Sequence, residues 1–396
     1  MNAEESLVQV KVEKEKTNEL QVMWILAISG FIIVCNVYTM VPIIDVLTSE
    51  LHTSKTVASL TTSSFTFFYA LGFLFFGPFS EIWGRRHVIV YGLLSIAVIT
   101  FILSFVHTIE WIIFFRSLQG IAAATFAPVA LAYVFEIFQP QKRALTIAWI
   151  STGFLLSGIL GQVISSWITH SIGWNFVFVF FSVVYFIVFI LAFKVLPSSS
   201  SHVSNVHLVT FYRQMFRFTN RNIVKGYIIA ITLFLSFVAM YAALGGYLTF
   251  KYGLSEEQIL IIRMIGILGM TFTLFSGKSI RTYGLKQTLI AGLICADLGL
   301  LLLSIMPNLI LLVVSSVIFV AGFSLVIPTM IQVVGHIGGA KRGPSLTMYT
   351  FLLFLGASIG PFVLQVGDFR TICLILFGLL GVSVILALLL TFNNEH

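Results

Sequence analysis

The sequence predicts an all-α polytopic membrane protein whose twelve transmembrane helices form two pseudo-symmetric six-helix bundles. Three observations carry this. Of 396 residues, 58% are hydrophobic and only 9% charged, too little charge to keep a soluble domain of this length dispersed. Long apolar runs recur along the chain; at about 20 residues per crossing, twelve of them take roughly 240 residues and leave short connections. Finally, a pattern of glycines and charges, Gly77-Pro-Phe-Ser80-Glu81-Ile-Trp-Gly84-Arg85-Arg86, returns 200 residues later as Gly277-Lys-Ser-Ile-Arg281-Thr-Tyr-Gly284-Leu-Lys286.

Residues 1–21 mix Glu and Lys and make a short charged tail. Span 1 follows at 22–44 and span 2 at 57–80, the latter carrying Phe65, Phe68 and Tyr69 into the first charged turn. A helix arriving at a membrane face leaves its last carbonyls unpaired, so cations such as Arg85 and Arg86 are favoured there. Gly77 and Gly84 let the backbone bend and neighbouring helices approach. Spans 3, 4 and 5 are expected at 88–106, 111–138 and 144–168. Gly173-Trp174-Asn175-Phe176 is an interfacial aromatic anchor that leads into span 6, ending at Leu196.

Pro197 and the serines that follow it break the chain into a flexible linker, 197–225. In it Phe211, Met215 and Phe218 share one helical stripe and Arg213, Arg217 and Arg221 another. That pattern predicts a helix lying on the cytoplasmic face of the bilayer with its bases among anionic headgroups. Spans 7 to 12 are expected at 226–250, 257–277, 288–306, 309–337, 345–365 and 371–391, followed by the tail 392–396. The first bundle thus occupies 22–196 and the second 226–391. The repeat extends beyond the charged turns: Pro128 matches Pro328 at the same displacement, and Lys142-Arg143 matches Lys341-Arg342 one residue short of it.

The net charge of +7 would suggest nucleic acid in a soluble protein, but its placement argues otherwise. With the N-terminus inside, only Lys55, Lys251 and Arg370 face out and Arg116 and Arg263 lie within spans. All other Lys and Arg fall in cytoplasmic segments, which sets the orientation and excludes a nucleic-acid surface. The three cysteines, Cys35, Cys295 and Cys373, lie in spans and suggest no disulfide framework. The first apolar run is long enough to remain as a span, so no cleaved signal peptide is expected. Neither a phosphate-binding G-x-x-x-x-G-K-[ST] loop nor H-E-x-x-H nor a cysteine pair at metal spacing is present. The expectation is therefore a protein that is not an enzyme, with no cofactor and no metal.

Ionisable groups inside spans are costly and need partners or water. Arg116 is several residues into span 4, Arg263 about seven into span 8 and Asp297 about ten into span 9. Each reads either as a structural group paired to a neighbouring helix or as part of a wet path for ions. Asn36, Gln119, Tyr241, Gln332 and Tyr349 are uncharged candidates for touching a substrate, as are Phe65, Phe68 and Tyr69; each can equally bridge helices. Small residues three and four apart, Gly153, Gly158 and Gly161 in span 5 and Gly356 and Gly360 before Pro361 in span 11, make faces for close helix packing.

These motifs resemble those of the major facilitator superfamily. The first charged turn is similar to that family's loop between spans 2 and 3, G-x-L-a-D-r-x-G-r-k, with Glu81 in place of Asp and Ile82 in place of a base. Arg116, Gln119, Gly120, Ala122, Ala123 and Ala124 match its fourth-span pattern R-x-x-q-G-x-g-a-a. Span 5 resembles the antiporter motif g-x-x-x-G-P-x-x-G-G, with Ser157, Gly158 and Gln162 departing from it, and Gly356-Ala-Ser-Ile-Gly360-Pro361 in span 11 carries a fuller form. The resemblance is nearest to the 12-span drug/proton antiporters, including sugar-efflux and YnfM-like members. It implies a site near midplane between two moving halves, a cytoplasmic latch formed by Gly77, Glu81, Gly84, Arg85 and Arg86, and a coupling or cavity role for Arg116. It also places spans 3, 6, 9 and 12 in an outer scaffold, where Asp297 reads as a paired acid, and span 8, with Arg263, along the cavity.

The resulting expectation is a secondary transporter in the cell membrane with both termini cytoplasmic. Working as a monomer, it exports a small organic compound by alternating access, with protons as the coupling ion. Two alternatives stand beside it. Arg116 and Arg263 make a positive cavity suited to an organic anion, which favours an importer or exchanger, and the basic linker allows a sensor or scaffold that does not transport.

Overall fold

A computed structural model describes residues 3–198, 208–216, 220–306 and 308–391. Arg217, Phe218 and the tail 392–396 lie outside these. Among the described residues the fold is helical with no strand. Eleven segments are long and apolar enough to cross a membrane. One of them, Leu309–Ile359, has 51 residues, about 75 Å at 1.5 Å per residue and more than two hydrocarbon thicknesses. It consists of two helices joined by a 3-10 turn at Gly339–Lys341, so the crossings among the described residues number twelve.

The first bundle contains α1 (Ala3–Tyr38), α2 (Ile44–Glu50), α3 (Lys55–Trp83), α4 (Arg85–Leu103), α5 (Ile109–Ala123), α6 (Ala127–Ile137), α7 (Pro140–Ile172) and α8 (Asn175–Val195). After the short linker helix α9 (Leu208–Met215) come α10 (Arg221–Tyr252), α11 (Glu256–Ile265), α12 (Ile267–Met270), α13 (Ser276–Tyr283), α14 (Leu285–Ile305), α15 (Leu309–Gly338), α16 (Arg342–Ile359) and α17 (Phe369–Leu388). An even number of crossings returns the chain to the membrane face from which it started, here called the terminal face; the other is the distal face.

Several boundaries differ from the sequence expectation for identifiable reasons. Span 1 stops at Tyr38 instead of residue 44, because Pro42 donates no N–H and restricts the residue before it. Span 4 is interrupted at residues 124–126, where Pro128 leaves the Ala124 carbonyl without its helical donor. Span 8 is divided among α11, α12, a 3-10 stretch at Thr271–Phe275 and α13, with Gly266 and Gly269 at the break.

Both charged turns reduce to a single glycine. Gly84 (φ +84°) separates α3 from α4 and Gly284 (φ +85°) separates α13 from α14, a backbone region that glycine alone enters freely. Gly77 and Pro78 therefore lie inside α3 and not in the turn. Four helices that start from the distal face, α3, α11, α15 and α17, are capped by side chains, whereas α5 and α8 have no side-chain cap. Ser54, Asn308 and Asp368 accept the N–H of Val57, Leu311 and Thr371 at 3.3, 2.9 and 3.1 Å, and Ser255 with Gln258 forms a capping box on α11.

Within each bundle the small residues of spans 5 and 11 bring helices into backbone contact. A Cβ on Gly153 would lie 2.8 Å from the Ala27 carbonyl, and one on Gly161 3.0 Å from Cys35 Cα, so α7 packs directly on α1. Gly356 faces the Ile231 carbonyl and Gly360 faces Val238 in the matching contact of α16 with α10. Pro361 sits in the 3-10 turn Gly360–Gln365 that ends this span; its side chain is outside the described set.

The linker helix α9 packs against α3 of the first bundle and α16 of the second, so its apolar stripe, Phe211 and Met215, is buried on protein and Arg213 is left exposed. Tyr212 Oη donates to the Leu74 carbonyl at 3.2 Å, and Leu74 is the residue whose carbonyl Pro78 cannot satisfy. The linker thus docks on a backbone acceptor that the proline releases.

Candidate functional site

The two bundles meet on the terminal side. Gly77 of α3 is pressed against Thr347 of α16, Gly335 of α15 against the Phe135 ring of α6, and Gly277 of α13 lies beside Ala144 and Leu145 of α7. Glu81 lies against Gly343 in the first turn of α16, where a carboxylate complements the helix dipole. Arg85 donates to Glu81 at 2.5 Å, to Glu136 at 3.1 Å and to the Ala132 carbonyl at 2.9 Å. Arg86 instead donates to the carbonyls of Leu196 and Phe193, at 2.6 and 2.7 Å, and ties the turn to the end of α8. Glu136 was not singled out from the sequence; a second acid at the terminal end of span 4 was the available signal.

Distal to these contacts lies a cavity of about 260 Å³, toward the small end of ligand sites. Its wall includes Val34, Tyr38 and Val41 of the first crossing, Phe154, Gly158 and Gln162 of α7, Phe237 and Tyr241 of α10, Arg263 of α11, Ile327 of α15 and Phe354 of α16. Because Tyr38 and Val41 mark the distal end of the first crossing, the cavity extends toward that face. Among the described residues, Arg263 is the one charged side chain lining it. One of its Nη groups donates to the Tyr241 carbonyl at 3.3 Å, and the buried Tyr241 hydroxyl has no partner among the described residues.

An aromatic series closes the cavity floor. Phe354 meets Tyr69 and Phe73 of the first bundle at ring separations of 5.2 Å each and Phe234 of the second at 5.4 Å. Phe237 continues it, 4.2 Å from Phe323 and 5.1 Å from Tyr241. Edge-to-face and offset ring contacts of this kind add to the burial energy of the rings. Phe354 and Gln162, which the sequence did not flag as substrate contacts, lie on the wall; among 39 phenylalanines no sequence signal marks Phe354.

Arg116 lies apart from the cavity wall and is fully buried. Its Nη1 donates to Asn36 Oδ1 and Gln119 Oε1, both at 2.6 Å. Nη2 reaches the Asn36 carbonyl and Nε the Thr61 carbonyl, both at 3.1 Å, and the guanidinium lies 4.3 Å from the centre of the Phe65 ring. All these acceptors are neutral, and Gln119 is itself held by a bond to Thr100 at 2.7 Å. The arrangement staples α1, α3 and α5 together, while Gly120 beside the Phe65 carbonyl lets α5 approach α3 closely.

The remaining candidates divide. Tyr241 and Gly158 line the cavity. Asn36 and Phe65 serve Arg116, whereas Phe68 packs edge-on to the exposed Phe67. Tyr69 is buried in the floor and Tyr349 is buried outside the cavity wall. Gln332 belongs to a separate pocket on the terminal side. Asp297 sits on α14 facing Gly381 of α17, away from the cavity, and no basic partner lies within ion-pair distance among the described residues.

Comparison with known proteins agrees with this architecture. The family model of the Major Facilitator Superfamily matches residues 26–361, and the chain belongs to that family of membrane transporters. Among curated relatives it is 26% identical over 337 residues to an uncharacterized transporter of Buchnera aphidicola subsp. Baizongia pistaciae, covering 84% of this chain and 83% of that one. Among solved structures it superposes on the proton:xylose symporter XylE with a TM-score of 0.77 at 14% identity, over 94% of this chain and 95% of that one. The human organic anion transporter MFSD10 gives a TM-score of 0.73 at 16% identity, over 93% and 99%.

Proposed function

We propose that this transporter moves a small, partly aromatic organic anion through the cleft between its bundles, and that a proton gradient drives its export. The observation that carries the substrate class is the cavity wall as the described residues form it: one guanidinium, Arg263, beside neutral and apolar side chains. A carboxylate or sulfonate would pair with Arg263 and accept from the Tyr241 hydroxyl, while its ring packs on Phe154, Phe237 and Phe354. The organic anion named for MFSD10 supports the same reading. The Lys and Arg excess on the terminal face supports placing both termini in the cytoplasm of a cell-membrane protein. An ion gradient is the energy source proposed because the sequence carries no nucleotide-binding loop; a proton moving through 100 mV supplies about 2.3 kcal/mol.

The test is binding of a naphthalene carboxylate and of the matching naphthyl ammonium to purified protein. The carboxylate should bind and the ammonium should not. Arg263→Gln should weaken the carboxylate about 10- to 100-fold, the cost of one bond to a charged group. Preference for the cation, or indifference to Arg263→Gln, overturns the substrate class. Flux in vesicles of known sidedness, with and without a pH gradient, tests direction and coupling separately; inward flux favours the importer.

A further inference from the structure

The repeat is broken where the two bundles meet. In the first half the terminal-face charges are balanced: Glu81 and Glu136 flank Arg85. At the positions displaced by 200 residues stand Arg281, His336 and Leu285, so both acids have become basic residues. The pocket formed there has a volume of about 170 Å³ and lies across the bundle interface, with Phe135, Pro140 and Arg143 on one side and Leu285, Gln332, Gly335, His336 and Arg342 on the other. Arg143 and Arg342 are themselves near-equivalents in the repeat. Both stack on the Phe135 ring, at 5.6 and 5.4 Å from its centre. Each spends its Nε on a nearby carbonyl, Arg143 on Phe138 at 2.8 Å and Arg342 on Gly339 at 3.1 Å, and neither has an acidic partner within ion-pair distance among the described residues. Gln332 adds a buried amide Nε2 with no acceptor among the described residues.

We infer that this pocket binds a small phosphate-type oxyanion that clamps the terminal face shut. Two guanidiniums with their Nη groups to spare and an orphan amide donor form the donor set that a tetrahedral oxyanion satisfies. The volume of about 170 Å³ leaves room for a single phosphoryl group. Without the anion, Arg143 and Arg342 bring like charges together across the interface and favour separation of the bundles. With it, each bundle contributes a guanidinium to one ligand, so binding and closure are linked. The inference is independent of what the central cavity carries.

Spin labels on the exposed terminal-face positions Gln141 and Ala340, introduced as cysteines, report the distance between bundles. The distance is measured in detergent with sodium phosphate against sodium chloride at equal ionic strength, and in nanodiscs of phosphatidylglycerol against phosphatidylcholine. A shift to the short distance with phosphate identifies a soluble oxyanion as ligand; a shift only in phosphatidylglycerol identifies a lipid headgroup. In either case Arg143→Gln and Arg342→Gln should each abolish the shift, and Arg143→Lys, which keeps the charge and serves as a folding control, should retain part of it. No shift under either condition, or a shift that survives both Gln substitutions, overturns the inference.

Discussion

Arg116 and Arg263 show how two intramembrane arginines come to opposite uses. Every acceptor around Arg116 is an amide or carbonyl oxygen inside one bundle, so its removal orphans several buried acceptors at once, each worth about 1 to 3 kcal/mol. Arg116→Ala should therefore lower the thermal unfolding midpoint sharply in detergent, and Arg116→Lys should do so less. An Arg116→Ala protein with an unchanged midpoint but no proton dependence would restore the coupling role that the family resemblance implies. Arg263 lies on the cavity wall beside the Tyr241 hydroxyl, which has no partner among the described residues, and its replacement should alter ligand affinity far more than stability.

Among the elements, the single-residue turns and the linker helix set the relation between neighbouring helices. Gly84 and Gly284 hold nearly the same positive φ in the two halves, so a side chain at either strains the backbone by about 1 to 3 kcal/mol. Gly84→Ala and Gly284→Ala should lower the unfolding midpoint comparably, because neither turn can relax without tilting the helix that follows it. Linker helix α9 contacts both bundles through buried Phe211 and Met215. The double substitution Phe211→Ala and Met215→Ala should release it, seen as faster proteolysis of the linker. Unchanged cleavage would show that the Tyr212 bond to Leu74 holds α9 without them.

For the whole molecule, bundle contacts on the terminal side and a cavity distal to them match one state of the alternating-access cycle that the proposed function calls for. Glu81 stands where the first bundle touches the start of α16. Glu81→Gln removes one of the two carboxylates on Arg85 and weakens the dipole contact, so it should shift the population toward opening on the terminal face. The expected ratio change is about 5- to 150-fold, the usual range of coupling energies, read as a longer separation between the labels at positions 141 and 340. An unchanged distance would move the latch to the Phe135 and Gly335 contact.

Composition, twelve apolar runs and the 200-residue repeat pointed to the membrane class and the two bundles, because hydrophobic length and recurrence are properties of the linear chain; the family was legible only through the resemblance of its motifs. The charged turn and the close-packing glycines were legible for the same reason: a glycine beside a charge at a helix end has few structural meanings. Which polar groups face the cleft was decided only in three dimensions. Arg116 and Arg263 have similar depth in sequence, yet the rotation of each helix points one into its own bundle and the other into the space between bundles. The docking of α9 depends on a carbonyl released by Pro78, and the basic pocket depends on Arg143 and Arg342 meeting across the interface. Such contacts join residues far apart in the chain, so no local pattern records them.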